Sequence, residues 1–159
     1  MPHNSRSSAC ERGEGLDRRQ LIQASLMLAG VPPLCCTAPE VSHESVSYQG
    51  ARLILDLNKA SDLRPVGSAR AVVDIARKLN IIVAHIERRR FVALDRSCTH
   101  GGAQCAYNHK RRTLQCTSLN HAEYDLNGTL LHGRTHGNLR SYEVRLAGTR
   151  LEISLEKKA

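Results

Sequence analysis

The sequence predicts an all-β domain, an antiparallel sandwich or barrel, running from about residue 45 to residue 157. Three features carry this expectation. Short apolar segments recur from Ser47 to Leu155 with polar or small residues between them. Several of these segments alternate apolar and polar residues, the period of a strand with one buried face. Asn127-Gly128 lies between two of them and is a strong short-range hairpin signal.

The elements follow in chain order. Ser47 to Leu57 alternates in part, ends at Asn58, and reads as one extended segment. Ala69 to Ile75 carries Ala71, Val72, Val73 and Ile75. A helix over Arg70 to Leu79 competes there, but the β-branched pair Val72-Val73 disfavours it. Ile81 to Ile86 and Phe91 to Leu94 flank Glu87-Arg88-Arg89-Arg90, which reads as a hairpin turn. Leu114 to Thr117 is a short strand. Glu123 to Leu126 and Thr129 to Leu131 flank Asn127-Gly128. Tyr142 to Leu146 and Arg150 to Leu155 flank Ala147-Gly148-Thr149, a further hairpin.

Composition agrees with a globular domain. Of 159 residues, 41% are hydrophobic and 24% charged, so the chain can bury a core. Aromatics are only 3%, with no Trp and one Phe, so Leu, Ile and Val must build that core. No apolar run reaches the roughly 18 residues of a strong membrane span. The formal charge is +8, and the bases form short clusters, Arg88-Arg89-Arg90 and Lys110-Arg111-Arg112. Aromatic residues that could stack on bases are scarce, so nucleic acid is not an expected partner and the clusters read as solvated surface.

Residues 1–42 follow a different grammar. A polar stretch leads to Asp17-Arg18-Arg19-Gln20-Leu21-Ile22-Gln23, then to the mildly apolar Ala24–Gly30, which stops at Pro32-Pro33. An Arg pair before a short apolar stretch resembles a twin-arginine export signal. Residues 1–42 therefore read as a signal or anchor plus linker. Both cleavage and retention as an N-terminal membrane anchor are open from these residues.

The chemistry concentrates between Cys98 and His121. Of six Cys, three lie before residue 40 and three between 98 and 116, the latter interleaved with His. Cys98-Thr99-His100 is followed by Gly101-Gly102, and Cys116 is followed after four residues by His121. Each loop thus offers one thiolate and one imidazole. Two metal sites fit such a set: a mononuclear Cys2His2 zinc site, and a [2Fe–2S] centre with two Cys on one iron and two His on the other. The tight Cys-x-His spacing suits ligands that go to different metal ions.

These motifs resemble the Rieske family, whose pattern is Cys-x-His, an intervening stretch, and Cys-x-x-His. Cys98-Thr99-His100-Gly101-Gly102 matches the first loop. The second loop departs, with four residues between Cys116 and His121 where the family has two. Tyr124-Asp125, Asp125-Leu126-Asn127-Gly128, Gly133, Leu139 and Tyr142-Glu143-Val144 repeat the downstream pattern. The resemblance covers about Ile81 to Leu155. It implies an antiparallel sandwich or barrel with a small cluster-binding subdomain of two ligand loops.

The resemblance also implies roles. Cys98 and Cys116 would hold one iron of a [2Fe–2S] cluster, and His100 and His121 the other. Tyr124 would donate its hydroxyl to a ligand sulfur and raise the reduction potential. Glu123 stands near the place of a family Ser and would add negative charge, which lowers the potential. The family's loop disulfide is not expected, because Ala103 and Ser118 occupy its positions. Cys105 reads as a buried free thiol, and His109, His132 and His136 as exposed loop residues.

The function expected from this resemblance is one-electron transfer, without an active site of the chain's own. The chain would serve as the iron–sulfur subunit of a membrane or periplasmic oxidoreductase such as quinol–cytochrome c reductase, on the periplasmic side of the bacterial cytoplasmic membrane. Its partners would be a cytochrome or another oxidoreductase subunit, with quinol a further candidate. Two alternatives remain at this point: a soluble Rieske ferredoxin serving an oxygenase, and a structural zinc module built on the same four residues.

Overall fold

A computed structural model describes residues 38–119 and 121–156. The expected export signal lies almost wholly in residues 1–37, outside the described residues. Twelve strands form three four-stranded antiparallel sheets. The first sheet orders β1 (Val46–Gln49), β2 (Arg52–Asp56), β12 (Arg150–Ser154) and β11 (Val144–Ala147). The second orders β10 (Ser141–Tyr142), β5 (Arg90–Asp95), β4 (Leu79–Glu87) and β3 (Ala69–Asp74). The third orders β6 (Cys105–Asn108), β7 (Thr113–Cys116), β8 (Glu123–Tyr124) and β9 (Leu130–His132). The expected all-β antiparallel class is the observed one. Among the described residues, no helix is long and apolar enough to cross a membrane.

One expectation is corrected and one alternative falls away. Residues 47–57 are not one strand but the hairpin β1–β2, with Gln49 opposite Arg52 and Gly50 at φ +57°. Gly turns the chain there because it reaches positive φ without a steric cost. Residues 70–79 hold no helix: β3 pairs with β4 over its whole length, from Ala69↔Ala84 to Asp74↔Leu79. Val72 pairs with Ile81, where a pleated surface suits β-branched side chains better than a helical turn does.

The return segment from Tyr142 to Leu146 also divides. Ser141 and Tyr142 pair with β5, whereas Val144 to Ala147 pair with β12 in the other sheet. The change of partner falls at Glu143, whose carbonyl accepts the Ser154 N–H at 3.0 Å. One stretch of chain thereby joins the first two sheets.

Strand β4 shows how the layers pack. Ile81 and Val83 lie in one core with Leu53, Leu55, Val72, Leu151 and Ile153. Ile82 faces the other way, into a second core with Leu94, Leu114, Tyr124 and Leu139. Strand neighbours point to opposite faces, so a strand buried on both faces is apolar throughout; Ile81, Ile82, Val83 and Ala84 are each at most 1% exposed. Full burial of each large aliphatic side chain contributes about 1.5–3 kcal/mol. The second sheet is therefore the middle layer, and the third sheet with its loops packs on its outer face.

Candidate metal centre

Two loops carry the ligand candidates, and backbone bonds fold them onto each other. The first leaves β5 at Asp95. Asp95 Oδ1 accepts the Ser97 N–H at 2.8 Å, an Asx turn that starts the loop. Ser97 Oγ accepts from Asn80 Nδ2 at 2.9 Å. The Cys98 N–H donates to Ala103 O at 2.7 Å, and the Gly102 N–H returns to Cys98 O at 2.9 Å. Gly102 lies at φ +72°, so the turn requires a residue tolerant of that conformation.

The second loop leaves β7 at Cys116. The Cys116 N–H donates to Ala122 O at 2.7 Å, closing the loop at its base. Thr117 donates to Gln104 O through both its N–H and its hydroxyl, each at 2.9 Å. The His121 N–H donates to Ser118 O at 3.1 Å. From behind, Gly133 seats the loop: a Cβ there would lie 2.7 Å from Ala122 Cα.

Three thiols meet between these loops. The sulfurs of Cys98, Cys105 and Cys116 lie within 4.8 Å of one another. All three residues are buried, and all are free cysteines. His100 Nδ1 lies 2.8 Å from Cys98 Sγ and 4.0 Å from Cys116 Sγ. Ser118 Oγ lies 3.0 Å from His100 Nε2 and 3.2 Å from Cys116 Sγ. Tyr124, wholly buried, places its Oη 3.2 Å from Cys98 Sγ and 3.3 Å from Thr99 Oγ1. Thr99 in turn donates to Gly137 O at 3.1 Å, which ties the segment after β9 to the site.

Of the residues singled out from sequence, the fold thus gathers Cys98, His100, Cys116 and Tyr124. His121 sits elsewhere, on the exposed outer turn of its loop at φ +45°. It lines a cavity of about 400 Å³ with Cys116, Arg111, Thr117 and Glu123. Its left-handed backbone follows from the loop's extra length: the chain must turn between Ser118 and Ala122 to close the Cys116–Ala122 bond. Glu123 does not stand as a free negative charge. Thr113 Oγ1 donates to its carboxylate at 2.7 Å, and the Arg111 guanidinium lies 3.7 Å away. These contacts hold the carboxyl below its ordinary range, the Thr113 bond foremost, against the opposing effect of burial. His109, His132 and His136 are exposed.

Sequence reasoning missed one member of the site. Ser118, read only as a substitute for a disulfide Cys, contacts both Cys116 and His100. Cys105 is the buried free thiol expected of it, and its register opposite Cys116 brings it beside the ligand sulfurs without making it one of them. A period-two pattern from Cys105 to Asn108 could have flagged the strand, but four residues with no apolar alternation give little signal.

The donor chemistry fits an iron–sulfur group. Burial raises the pKa of the Cys98 thiol, but hydrogen bonds from the His100 backbone, the Tyr124 hydroxyl, the His100 ring and Cys116 bring it down to about 7. A thiol so placed is readily deprotonated, as metal ligation requires. The site is also asymmetric, with its thiols buried and the His100 imidazole half-exposed beside them.

No protein-family model matches the sequence, and no curated protein matches it. Solved structures do. The ferredoxin in a complex of reduced oxygenase and oxidised ferredoxin of carbazole 1,9a-dioxygenase is 22% identical, with a TM-score of 0.53 over 63% of this chain and 91% of that one. The ferredoxin of carbazole 1,9a-dioxygenase from Nocardioides aromaticivorans IC177 is 16% identical, with a TM-score of 0.52 over 65% and 95%. The plasma-membrane Rieske protein PetC3 of the cyanobacterium Synechocystis PCC 6803 is 19% identical, with a TM-score of 0.48 over 62% and 91%. The three-sheet architecture and the superposition on the two ferredoxins together identify the described domain as one with the Rieske fold.

Proposed function

We propose that this chain is a one-electron carrier with a [2Fe–2S] cluster of Rieske type. The observation that supports it most is the juxtaposition of Cys98, Cys116 and His100, from two separate loops, under the Tyr124 hydroxyl. In this reading Cys98 and Cys116 would hold one iron as thiolates and His100 the other as a neutral imidazole, with His121 joining it only once its exposed turn brings the ring inward. The cluster, when bound, accepts and releases a single electron at a potential in the range of about −150 to +300 mV, because neutral rings replace two anionic thiolates.

The chain's own residues tune that exchange. Tyr124 donates its hydroxyl toward Cys98 sulfur and withdraws charge from it, which favours the reduced state. The Arg111 guanidinium beside the Glu123 carboxylate offsets part of the negative charge that would lower the potential. His100 is only partly exposed, and its ring offers an exit route for the electron.

The finer role rests on the N-terminal sequence. Arg18-Arg19 and the apolar stretch after them support export across the bacterial cytoplasmic membrane, with the folded domain on the periplasmic side as part of a membrane or periplasmic oxidoreductase. Twin-arginine export suits folded cargo, and a cluster built in the cytoplasm requires a folded domain around it. A cytochrome or another oxidoreductase subunit, and quinol, are the partners this role entails. A second reading, a ferredoxin delivering electrons to an oxygenase, is favoured by the likeness to two such ferredoxins and by Ala103 and Ser118 at the positions of the loop disulfide.

Anaerobic purification with iron, sulfide and zinc analysis and electron spin resonance of the reduced protein tests the cluster. Two irons and two sulfides per chain, with a Rieske-type signal, are expected. A colourless protein carrying zinc would overturn the proposal in favour of a structural zinc module. Fractionation of cells expressing the full chain, with and without Arg18→Lys and Arg19→Lys, tests the location: the double variant should accumulate inside.

A further inference from the structure

The third thiol has no part in a cluster held by two Cys and two His. Cys105 is nevertheless fully buried, directly opposite Cys116 in the β6–β7 ladder. The type of pairing matters. The Cys105 N–H donates to Arg96 O and the Cys116 N–H to Ala122 O, so the two residues exchange no backbone bonds with each other. They form a non-hydrogen-bonded antiparallel pair, the narrower of the two kinds, with Cα atoms about 4.5 Å apart and side chains on one face. That separation falls within the span of about 4.4–6.8 Å that a disulfide bridges without moving backbone. Both sulfurs already lie within 4.8 Å of each other.

Cys98 is the rival partner, since its sulfur belongs to the same group. It is placed differently. Cys98 lies in a loop, where its sulfur is engaged by Tyr124 Oη at 3.2 Å, by His100 Nδ1 at 2.8 Å and by the Cys105 and Cys116 thiols, while Cys116 Sγ has Ser118 Oγ at 3.2 Å. Cys116 and Cys105 instead face each other from paired strands whose register the hairpin sets.

We propose that Cys105 and Cys116 form a reversible disulfide when the cluster is absent, and that this bond closes the site to cluster loading. The consequence for loading rests on the reading of Cys116 as an iron ligand. The oxidant is a low-molecular-weight disulfide. The two thiols lose their protons and one S–S bond forms between them. The oxidant's S–S bond breaks and takes up two electrons and two protons, leaving two small thiols. A dithiol reductant reverses the exchange. The bond ties up one thiolate needed for the cluster, shields both sulfurs from irreversible oxidation, and makes loading conditional on reducing surroundings. An exported chain that left the cytoplasm without its cluster would be locked in this state.

The test uses the full chain stripped of metal and exposed to oxidised glutathione, with Cys10, Cys35 and Cys36 changed to Ser to prevent exchange with them. Peptide mapping by mass spectrometry without reduction is expected to find the Cys105 and Cys116 peptides linked, lighter by two hydrogen atoms. This protein should take up no iron until a dithiol is added. Cys105→Ala, and Cys105→Val to refill the volume, should load iron equally well before and after the dithiol. Absence of a linkage, or a linkage to Cys98 instead, would overturn the proposal. A Cys105–Cys116 linkage in a protein that binds no iron even when reduced would uphold the disulfide and sink the cluster reading alone.

Discussion

The first two sheets and the third are built on different terms. Between β1–β2–β12–β11 and β10–β5–β4–β3 the core is aliphatic, from Leu53 and Leu55 across to Ile81, Val83, Leu151 and Ile153. Its central strands run five to nine residues. In the third sheet no strand exceeds four residues. Its core carries three thiols and a phenol beside Leu94 and Leu114, and its loops place Gly102, His121 and Gly133 at positive φ. The first region obtains its stability from apolar area, which needs no partner. The second arranges sulfur and nitrogen donors, whose value depends on what they bind. The molecule thus separates stability from chemistry, with β4 and β5 as the wall shared by both.

The largest expected effect is a crossover between the regions. Cys116→Ser should abolish cluster retention, read as iron per chain. Leu151→Ala should leave a loaded site at low temperature yet destabilise the fold by about 2–5 kcal/mol in denaturant titration. If the Leu151 variant instead loses iron under native conditions while its fold survives, the two regions are not separable.

Gly133→Ala tests the seat of the second loop. An added Cβ meets Ala122 Cα at 2.7 Å, at a φ of +105° that L side chains rarely adopt. The 116–122 loop must shift, so iron retention should fall several-fold while the melting of the aliphatic core changes little. Unchanged iron content would show that the loop is not held from behind.

Tyr124→Phe removes one hydroxyl without changing the ring. A hydrogen bond to a charged group contributes about 1.5–3 kcal/mol. Only the difference in that bond's strength between the two oxidation states moves the potential, so at 59 mV per tenfold change for a one-electron couple it should fall by at most about 130 mV in a redox titration. No change would mean that the hydroxyl serves Thr99 rather than sulfur.

The smallest effect belongs to the apolar region. Tyr48 has its pKa raised from 10.0 to about 12, by burial first and then by its hydrogen bond to Asp74. The unfolded chain loses this proton at lower pH than the folded one. The contribution is therefore fully present below pH 10 and is lost as pH rises toward 12. Spectrophotometric titration of Tyr48 should show the late midpoint, and Asp74→Asn should bring it earlier.

Much of this architecture was legible in the residues. The hairpins at Glu87–Arg90, Asn127-Gly128 and Ala147–Thr149 announce themselves because turn chemistry is local. The grouping of Cys98 and His100 was legible for the same reason, since two residues of spacing bind them to one turn. The hairpin at Gly50 was missed because the alternation of Ser47 to Leu57 masks a lone glycine. The strand Cys105–Asn108 was missed because it takes its conformation from β7 rather than from its own side chains.

Local pattern was enough to say which segments extend, where most of them turn, and that thiols and imidazoles share two loops, because propensity, periodicity and spacing act over a few residues. Only the tertiary structure decided that Glu143 divides a return strand between two sheets, that Tyr124 reaches Cys98, that Cys105 faces Cys116, and that His121 stands on the outer turn. Those outcomes depend on register and on the packing of distant layers, in which each strand's free edge and apolar face must find a partner that no local pattern names.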